Sequence, residues 1–224
     1  MEGGTDDNIG GLFVDTDYKE ITFKHGDFEQ RLFALKTSST DYDLTGQIIW
    51  KAADILSKYI IEELGESVLK GKSVLEVGSG PGLCGLVAQH WAKEVVLSDY
   101  QDLVMDLIAI NQRDCQPKNP ACRLLSAKLD WMKAAEPGYC ESLPVLTETG
   151  SQHCTFGDLK LEVVIGSDIV YWTSSIQPLM NVLTVSPTIF NPDTRPSSCK
   201  TTSKPSTCAT SRGLSSPIPC SRKA

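Results

Sequence analysis

The chain is 224 residues long, with 21 Lys and Arg residues against 28 Asp and Glu residues and a net charge of −7. The length fits a single α/β domain of ordinary size. The acidic balance argues against a nucleic-acid partner, for which a basic domain is expected, and favours a basic protein partner. No apolar run reaches the ~18 residues that a membrane span needs, so no membrane association is expected.

The beginning of the chain and its cysteines indicate a reducing compartment. Residues 1–16 contain several Gly and Asp residues, which predicts a flexible N-terminal lead, and they lack the pattern of a secretory or transit signal. The expected location is the cytoplasm, and the nucleus is compatible as an additional location. The eight cysteines include no C-x-x-C pair and the three histidines have no metal-ligand spacing. We therefore expect reduced thiols and no metal site.

Two elements are predicted before the first strand of the main sheet. Residues 18–23 and 29–35 alternate apolar and polar side chains around a turn region that contains Gly26, which is typical of a β-hairpin. Apolar residues then recur at helical spacing from 48 to 69. This spacing predicts a helical segment, with Gly65 as a break within it.

The most informative segment is 74–83, a buried strand that ends in a glycine turn and opens a helix. Glycine is needed where the backbone approaches a ligand closely or adopts a positive φ, and the first turn of a helix offers free N–H groups. A second strand, 94–99, ends at Asp99, where a carboxylate can accept hydrogen bonds from a ribose. The segment therefore predicts a nucleotide-cofactor site.

Two classes of cofactor are compatible with this turn. Gly80, Gly82 and Gly85 match the G-x-G-x-x-G fingerprint of dinucleotide-binding folds. Glu76, however, stands two residues before the first glycine, where it either reaches a cofactor or is a solvated residue at a strand end. The resulting E-x-G-x-G-x-G pattern resembles S-adenosylmethionine binding in the seven-strand methyltransferases. A dinucleotide-dependent oxidoreductase is the alternative.

The rest of the pattern alternates helices with strands. Helices are predicted at 85–91, 103–110 and 174–183, strands at 124–129 and 161–168, and an irregular connector at 137–157. Such alternation predicts a parallel, doubly wound sheet with its ligand crevice outside the carboxyl ends of the strands. Four polar or glycine residues fall at those ends: Gly78, Asp99, Asp130 and Asp168.

The last strand end carries the pattern D-x-x-Y, from Asp168 to Tyr171, followed by Trp172. We predict that Asp168 and Tyr171 are catalytic, because a methyl donor and its acceptor would meet at this strand end. Asp168 is alternatively the N-cap of the next helix. The two aromatic rings either belong to the core or attract a cationic group with ~0.5–2 kcal/mol.

Several segments together resemble the methyltransferase-like protein lysine methyltransferases. These segments are residues 45–53, the 76–83 motif, Asp99, 129–131 and 168–171, within a resemblance that covers 17–183. The resemblance implies a Rossmann-like seven-strand fold, S-adenosylmethionine as the cofactor and a protein lysine as the acceptor. It also implies direct methyl transfer to a neutral amine, catalysed mostly by alignment of the two reactants. We expect the protein to act as a monomer.

The same resemblance implies the residues that contact the cofactor. They are Trp50, Glu76, Gly78, Ser79, Gly80, Asp99, Trp131 and Ser167. Trp50 and Trp131 are also large apolar side chains of the kind that is often buried for packing alone. The motif from Asp168 to Tyr171 is the implied substrate-side signature.

The pattern changes abruptly after residue 183. Residues 184–224 are rich in Ser, Thr and Pro, contain Asp193 as their single acid and show no strand pattern. We expect a disordered tail, or an aberrant one produced by splicing or a shifted reading frame. The methyltransferase domain, 17–183, would then be incomplete at its C-terminal strands. The alternative function is accordingly a truncated, inactive isoform that binds cofactor or partner without catalysis.

Overall fold

The computed structural model describes residues 18–35, 42–115 and 121–185. Its N-terminal element is a β-hairpin in which β1 (Lys19–His25) pairs antiparallel with β2 (Phe28–Ala34). The paired register runs from the strand ends to the two residues that flank the turn. The predicted hairpin is confirmed.

A continuous helical segment precedes the main sheet. α1 (Lys51–Tyr59) runs directly into a π-helix (Ile60–Leu69). The predicted break at Gly65 is wrong, because this residue lies inside the π-helix. A Cβ at Gly65 would sit 2.5 Å from the ring of Trp91. Gly65 therefore serves a close packing contact and does not end a helix.

The later elements follow in chain order. They are β3 (Ser73–Val77), α2 (Leu83–Ala88), β4 (Glu94–Asp99), α3 (Asp102–Asp114), β5 (Arg123–Lys128), α4 (Tyr139–Ser142), β6 (Pro144–Leu146), β7 (Gln152–Thr155), β8 (Val163–Ile165) and α5 (Ile176–Val185). Short 3₁₀ helices occupy Tyr42–Gln47, Trp131–Lys133, Phe156–Asp158 and Thr173–Ser175.

The main sheet has the strand order β7-β6-β5-β4-β3-β8. The strands β8, β3, β4 and β5 are parallel, as predicted. The strands β6 and β7 extend this sheet in antiparallel pairing. Every residue of β3 and β4 is buried, as is typical of parallel strands that are covered on both faces. The carboxyl ends of the four parallel strands share one edge of the sheet, where the site is expected.

Alternate residues along the strands face two separate hydrophobic cores. Val74 and Val95 face a core that includes residues of the hairpin, α2 and α3. Leu75 and Val96 face the other core, to which α4 and α5 contribute. Layers on both faces of a largely parallel sheet form the Rossmann-like, doubly wound architecture. The predicted fold class is confirmed.

Several boundaries differ from those predicted. α2 spans Leu83–Ala88 rather than 85–91, because Gly82 ends the turn with a left-handed φ of 86° and the helix begins at once. α5 spans Ile176–Val185 rather than 174–183, after a 3₁₀ turn. β8 has only 3 residues. The predicted irregular connector, 137–157, contains α4, β6 and β7, whose few residues give no periodic signal.

β8 is the edge strand of the main sheet in the described part of the chain. The carboxylate of Glu162, just before β8, accepts hydrogen bonds from Lys72 Nζ at 2.8 Å and Lys93 Nζ at 2.9 Å. Burial raises the pKa of Glu162, but these hydrogen bonds outweigh it and lower the pKa to about 2. This ion-pair cluster ties β8 to the sheet at the end opposite the predicted crevice.

The predicted domain limits fall partly on residues that the structure does not describe. The lead, 1–16, and residues 186–224 of the predicted tail lie outside the described residues. Residues 184 and 185 belong to α5, and the domain limits stay predictions. None of the helices described here has the length and apolar character required to cross a membrane.

Candidate cofactor site

The glycine turn joins the buried end of β3 to α2. Gly78 and Gly80 adopt positive φ values of 61° and 52°. A Cβ on Gly80 would lie 3.0 Å from the carbonyl oxygen of Gly46, in the 3₁₀ helix before α1. The turn therefore needs glycine both for its backbone conformation and for the close approach of a second segment. Two predicted cofactor residues, Gly78 and Gly80, lie at its centre.

Hydroxyl groups fasten this turn to β4. Ser79 N–H donates to the Ser98 carbonyl at 2.9 Å, and Ser98 N–H donates to Ser79 Oγ at 2.9 Å. Ser98 Oγ donates to the carbonyl of Glu76 at 2.7 Å. The side chain of the predicted cofactor residue Ser79 is thus engaged with the backbone beneath the turn. Sequence reasoning missed Ser98, because a serine inside an apolar strand gives no signal of this role.

Asp99 connects the end of β4 to the same turn. Its Oδ2 accepts a hydrogen bond from Gly80 N–H at 3.2 Å, and its Oδ1 accepts from Tyr100 N–H at 2.7 Å. Burial raises the pKa of Asp99 above its usual value, and the hydrogen bonds from backbone N–H groups offset only part of this rise. The two predicted cofactor residues Asp99 and Gly80 are therefore in direct contact. Lone pairs of the carboxylate that the backbone does not use can accept from ribose hydroxyls.

Glu76 lies beneath the turn and is 2% exposed. Its Oε2 accepts a hydrogen bond from Gly85 N–H, in the first turn of α2, at 2.9 Å. Burial raises the pKa of Glu76 to about 7. The alternative of a solvated strand-end residue is wrong, because the carboxylate points into the fold. Glu76 fixes the helix that follows the turn, and its contact with a cofactor stays a prediction.

The ends of three strands meet around Gly78. A Cβ on this glycine would lie 2.9 Å from Cγ2 of Ile169, which follows β8, and 3.3 Å from Cζ2 of Trp131, which follows β5. The predicted cofactor residue Trp131 is partly buried and flanks the glycine turn. Ile169 was missed, since an aliphatic residue inside the D-x-x-Y pattern resembles any core residue. Their convergence places Trp131 and the D-x-x-Y segment beside the turn.

Trp50 borders the crevice from the segment before α1. Its Nε1 donates to the carbonyl of Thr45 at 3.1 Å, and the neighbouring Gly46 approaches Gly80. The indole of Trp50 is exposed, so the packing alternative for this residue is wrong. The segment from Thr45 to Trp50 thus forms a wall next to the glycine turn.

Ser167 contacts the buried thiol of Cys84, in the helix that follows the glycine turn. Cys84 Sγ, in α2, lies 3.8 Å from Ser167 Oγ and 3.6 Å from the carbonyl of Ala53 in α1. Burial is the main cause that raises the pKa of the Cys84 thiol, which therefore stays protonated. The thiol links α1, α2 and the end of β8. The predicted cofactor residue Ser167 consequently lies against the base of the same crevice.

The D-x-x-Y segment is the exposed side of the site. Asp168 is exposed and has a φ of 57°, the single positive φ of a non-glycine residue in the described chain. The N-cap alternative is wrong, because Trp172 occupies the N-cap position of the next helical turn. Tyr171 and Trp172 are 65% and 55% exposed, which rules out the core alternative, and their ring centroids are 6.1 Å apart.

Asp130, another of the four residues predicted at strand ends, has a local structural role. Its Oδ1 accepts a hydrogen bond from Met132 N–H at 3.0 Å and caps the 3₁₀ helix Trp131–Lys133. This cap orients the backbone that carries Trp131. Asp130 therefore supports the site through its neighbour.

A family model described as "Lysine methyltransferase" matches residues 30–146, slightly more than half of the chain. The chain belongs to the lysine methyltransferase family. The match includes Trp50, the glycine turn, Asp99 and Trp131, and it ends before β8. The dinucleotide alternative is thereby excluded in favour of the methyltransferase interpretation.

Individual relatives agree with this family. The protein N-lysine methyltransferase METTL21A of Xenopus tropicalis is 29% identical over 133 residues, which are 59% of this chain and 51% of the relative. The protein-lysine N-methyltransferase EEF2KMT of Homo sapiens is 29% identical over 157 residues, 66% of this chain and 42% of the relative. The chain therefore spans about half the length, or less, of the curated relatives it matches.

Proposed function

We propose that this chain binds S-adenosylmethionine at the carboxyl ends of its parallel strands and transfers the methyl group to a lysine of a protein. The observation that carries the proposal is the contact between Asp99 and Gly80, which joins a carboxylate to a glycine turn at 3.2 Å. Family membership supports the same chemistry.

The residues around the turn suit the parts of this cofactor. The absence of a side chain at Gly78 and Gly80 leaves backbone accessible to a ligand. Asp99 offers carboxylate oxygens to ribose hydroxyls, and Trp131 offers an aromatic face next to the turn. Trp50 and Ser167 would border the cofactor from α1 and β8. When bound, the cofactor supplies a methyl group on a sulfonium, and it leaves as a neutral thioether.

The exposed side would receive the lysine. Tyr171 and Trp172 would line its approach and exclude water, which disfavours the charged amine and lowers its pKa. A neutral amine is the form that can attack. Asp168 would orient either this amine or the amino group of the donor. Most of the rate enhancement would come from alignment of amine and methyl group.

The partner we propose is a basic, lysine-bearing protein segment, recognised by a monomer in the cytoplasm or nucleus. The net charge of −7 supports a basic partner. The relatives named above are described as acting on protein lysines. Nucleic acid and membrane are not among the proposed partners.

A cofactor-binding form without turnover is the second candidate. It is favoured by β8 forming the sheet edge in the described part of the chain and by the exposure of Tyr171 and Trp172 beyond it. An acceptor site whose aromatic side chains are more than half exposed holds a lysine loosely, which lowers the rate that alignment provides.

The first test is calorimetric titration of the chain with S-adenosylhomocysteine. We expect micromolar binding by the wild type and its loss in Asp99→Ala. Asp114→Ala, which removes an exposed acid at the end of α3, is the matched control and should bind normally. Asp99→Asn preserves the size of the side chain and guards against a folding defect. A folded wild-type sample that does not bind would refute the proposal.

Methyl transfer is measured separately, with tritiated S-adenosylmethionine and a library of basic lysine-containing peptides. Labelled lysine would establish the enzyme, and Tyr171→Ala, which removes the aromatic ring, should lower the rate without changing affinity for S-adenosylhomocysteine. Binding without labelling of any peptide would support the second candidate.

A further inference from the structure

Asn111 is a fully buried residue of α3 whose side chain touches two distant segments. Its Oδ1 accepts a hydrogen bond from Phe33 N–H at 2.6 Å, and its Nδ2 donates to the Phe33 carbonyl at 2.9 Å. Nδ2 also donates to the carbonyl of Pro81 at 2.8 Å. One amide therefore connects the hairpin with the glycine turn.

The Asn111 amide bonds both backbone groups of Phe33, as a neighbouring β-strand would. β2 pairs with β1 along one side, and the N–H and carbonyl of Phe33 are both bonded to the Asn111 amide. A partly buried strand edge needs such partners, because an unpaired backbone group away from water is costly. Asn111 thus fixes the position of the hairpin against α3.

The contact with Pro81 lies at the centre of the glycine turn. Pro81 stands between Gly80 and Gly82 and has no N–H, so its carbonyl is its one backbone group that forms hydrogen bonds. Both N–H bonds of the amide are used. Rotating the amide by a half-turn would place its oxygen against the carbonyls of Phe33 and Pro81. A single orientation of Asn111 is therefore fixed by its partners.

We propose that Asn111 is a positioning residue for the cofactor site, and that through it the N-terminal hairpin stabilises the glycine turn. The amide holds Pro81 and thereby sets the orientation of Gly80, whose N–H is bound to Asp99. The cofactor part of this inference rests on the function proposed above. The other part, that Asn111 stabilises the glycine turn, does not depend on any ligand.

Gln112 provides a matched control on the same helix. It is also a buried amide, and its Nε2 donates to the carbonyls of Leu124 at 2.7 Å and Leu146 at 3.2 Å. These carbonyls belong to β5 and β6, so Gln112 holds the sheet and does not touch the turn. Asn111→Ala and Gln112→Ala thus remove the same chemistry at two places.

The first measurement is hydrogen–deuterium exchange of the full chain without ligand, at a temperature where circular dichroism shows each variant folded. In Asn111→Ala, exchange in peptides that cover 78–86 should rise by about tenfold, as expected for the loss of the one buried hydrogen bond that Asn111 makes to the turn. In Gln112→Ala the increase should fall on 144–146 instead. Unchanged exchange of the turn in Asn111→Ala, or an equal rise in both variants, would overturn the proposal.

The second measurement is the affinity for S-adenosylhomocysteine. Asn111→Ala should bind about tenfold more weakly than the wild type, whereas Gln112→Ala should bind normally. Because truncation opens a cavity, Asn111→Asp serves as the isosteric variant: it keeps an acceptor for Phe33 N–H but cannot donate to Pro81 while ionised. Wild-type affinity in both folded Asn111 variants would refute the positioning role. No binding by the wild type would refute the cofactor proposal instead, and the exchange result would still decide the role of Asn111.

Discussion

The proposed cofactor side and the proposed acceptor side of the crevice are built differently. Around the glycine turn, Glu76 and Asp99 are 2% and 9% exposed and are bonded to backbone N–H groups. Around the D-x-x-Y segment, Tyr171 and Trp172 are more than half exposed. The fold therefore encloses the carboxylates of the first side, whereas the aromatic side chains of the second are open to solvent. The family match covers the first side and not the second, because it ends at residue 146, before β8.

The largest effect is expected from crowding the cofactor side. A Cβ on Gly85 would lie 2.3 Å from Leu97 Cδ2 and 2.7 Å from Glu76 Oε2. Gly85→Val should therefore lower the free energy of unfolding by about 3 kcal/mol or more, measured by chemical denaturation. Gly150→Val, where a Cβ meets nothing within 4 Å, is the control and should cost only about 1–2 kcal/mol from its positive φ. Equal losses in the two variants would contradict the tight packing described here.

A second large effect concerns pH. The pKa of Glu76 is raised by burial to about 7, against 4.5 in the unfolded chain. Between these values the folded state binds the extra proton, so the contribution of Glu76 to stability is greatest below pH 4.5 and falls as pH rises towards 7. The loss amounts to about 3 kcal/mol at most. Glu76→Gln should abolish this component when the two unfolding free energies are compared across pH. A difference between the proteins that does not vary with pH would contradict the assignment.

A smaller effect concerns the backbone of the acceptor side. Asp168 has a positive φ of 57°, a conformation in which glycine carries no Cβ penalty. Asp168→Gly should therefore be about 1 kcal/mol more stable than Asp168→Ala, although both lose the carboxylate. Thermal melts of the pair measure the difference. If Asp168→Ala were the more stable of the two, the strained backbone would be disproved.

The smallest effect on stability is expected where the acceptor side is most open. Trp172→Ala should change the free energy of unfolding by no more than about 0.5 kcal/mol, because its ring is largely exposed. Methyl transfer should nevertheless fall, by about tenfold if one aromatic contact of ~1.4 kcal/mol is lost. Met132→Ala, at another exposed apolar residue, is the control. A stability loss above 2 kcal/mol would show that Trp172 belongs to the core.

Part of the site could be predicted from sequence because its signals are local. A strand, a glycine turn and an acid at a second strand end are separated by a short stretch of chain, so Gly80 and Asp99 could be paired from spacing alone. The fold class followed from the alternation of strands and helices. The exposed position of Trp50 and the buried carboxylate of Glu76 depended on neighbours that spacing does not reveal.

The residues that sequence reasoning missed act through tertiary partners. Asn111 is one polar residue in an amphipathic helix, and Ser98 is one small residue in a strand. Nothing near them in sequence indicates Phe33, Pro81 or Glu76 as partners. The short strands β6 and β7 were missed for another reason, because 3 or 4 residues do not establish a period.

The placement of Ser73 has a consequence for the order of assembly during synthesis. Ser73 bonds to Glu94, 21 residues further along the chain, and to Glu162, 89 residues further along. Closing the longer loop costs more chain entropy, and contacts between distant residues form more slowly. On a growing polypeptide, β3 and β4 leave the ribosome long before β8. We expect the proposed cofactor half of the crevice to take shape first, and the proposed acceptor half to be completed only after β8 has been synthesised.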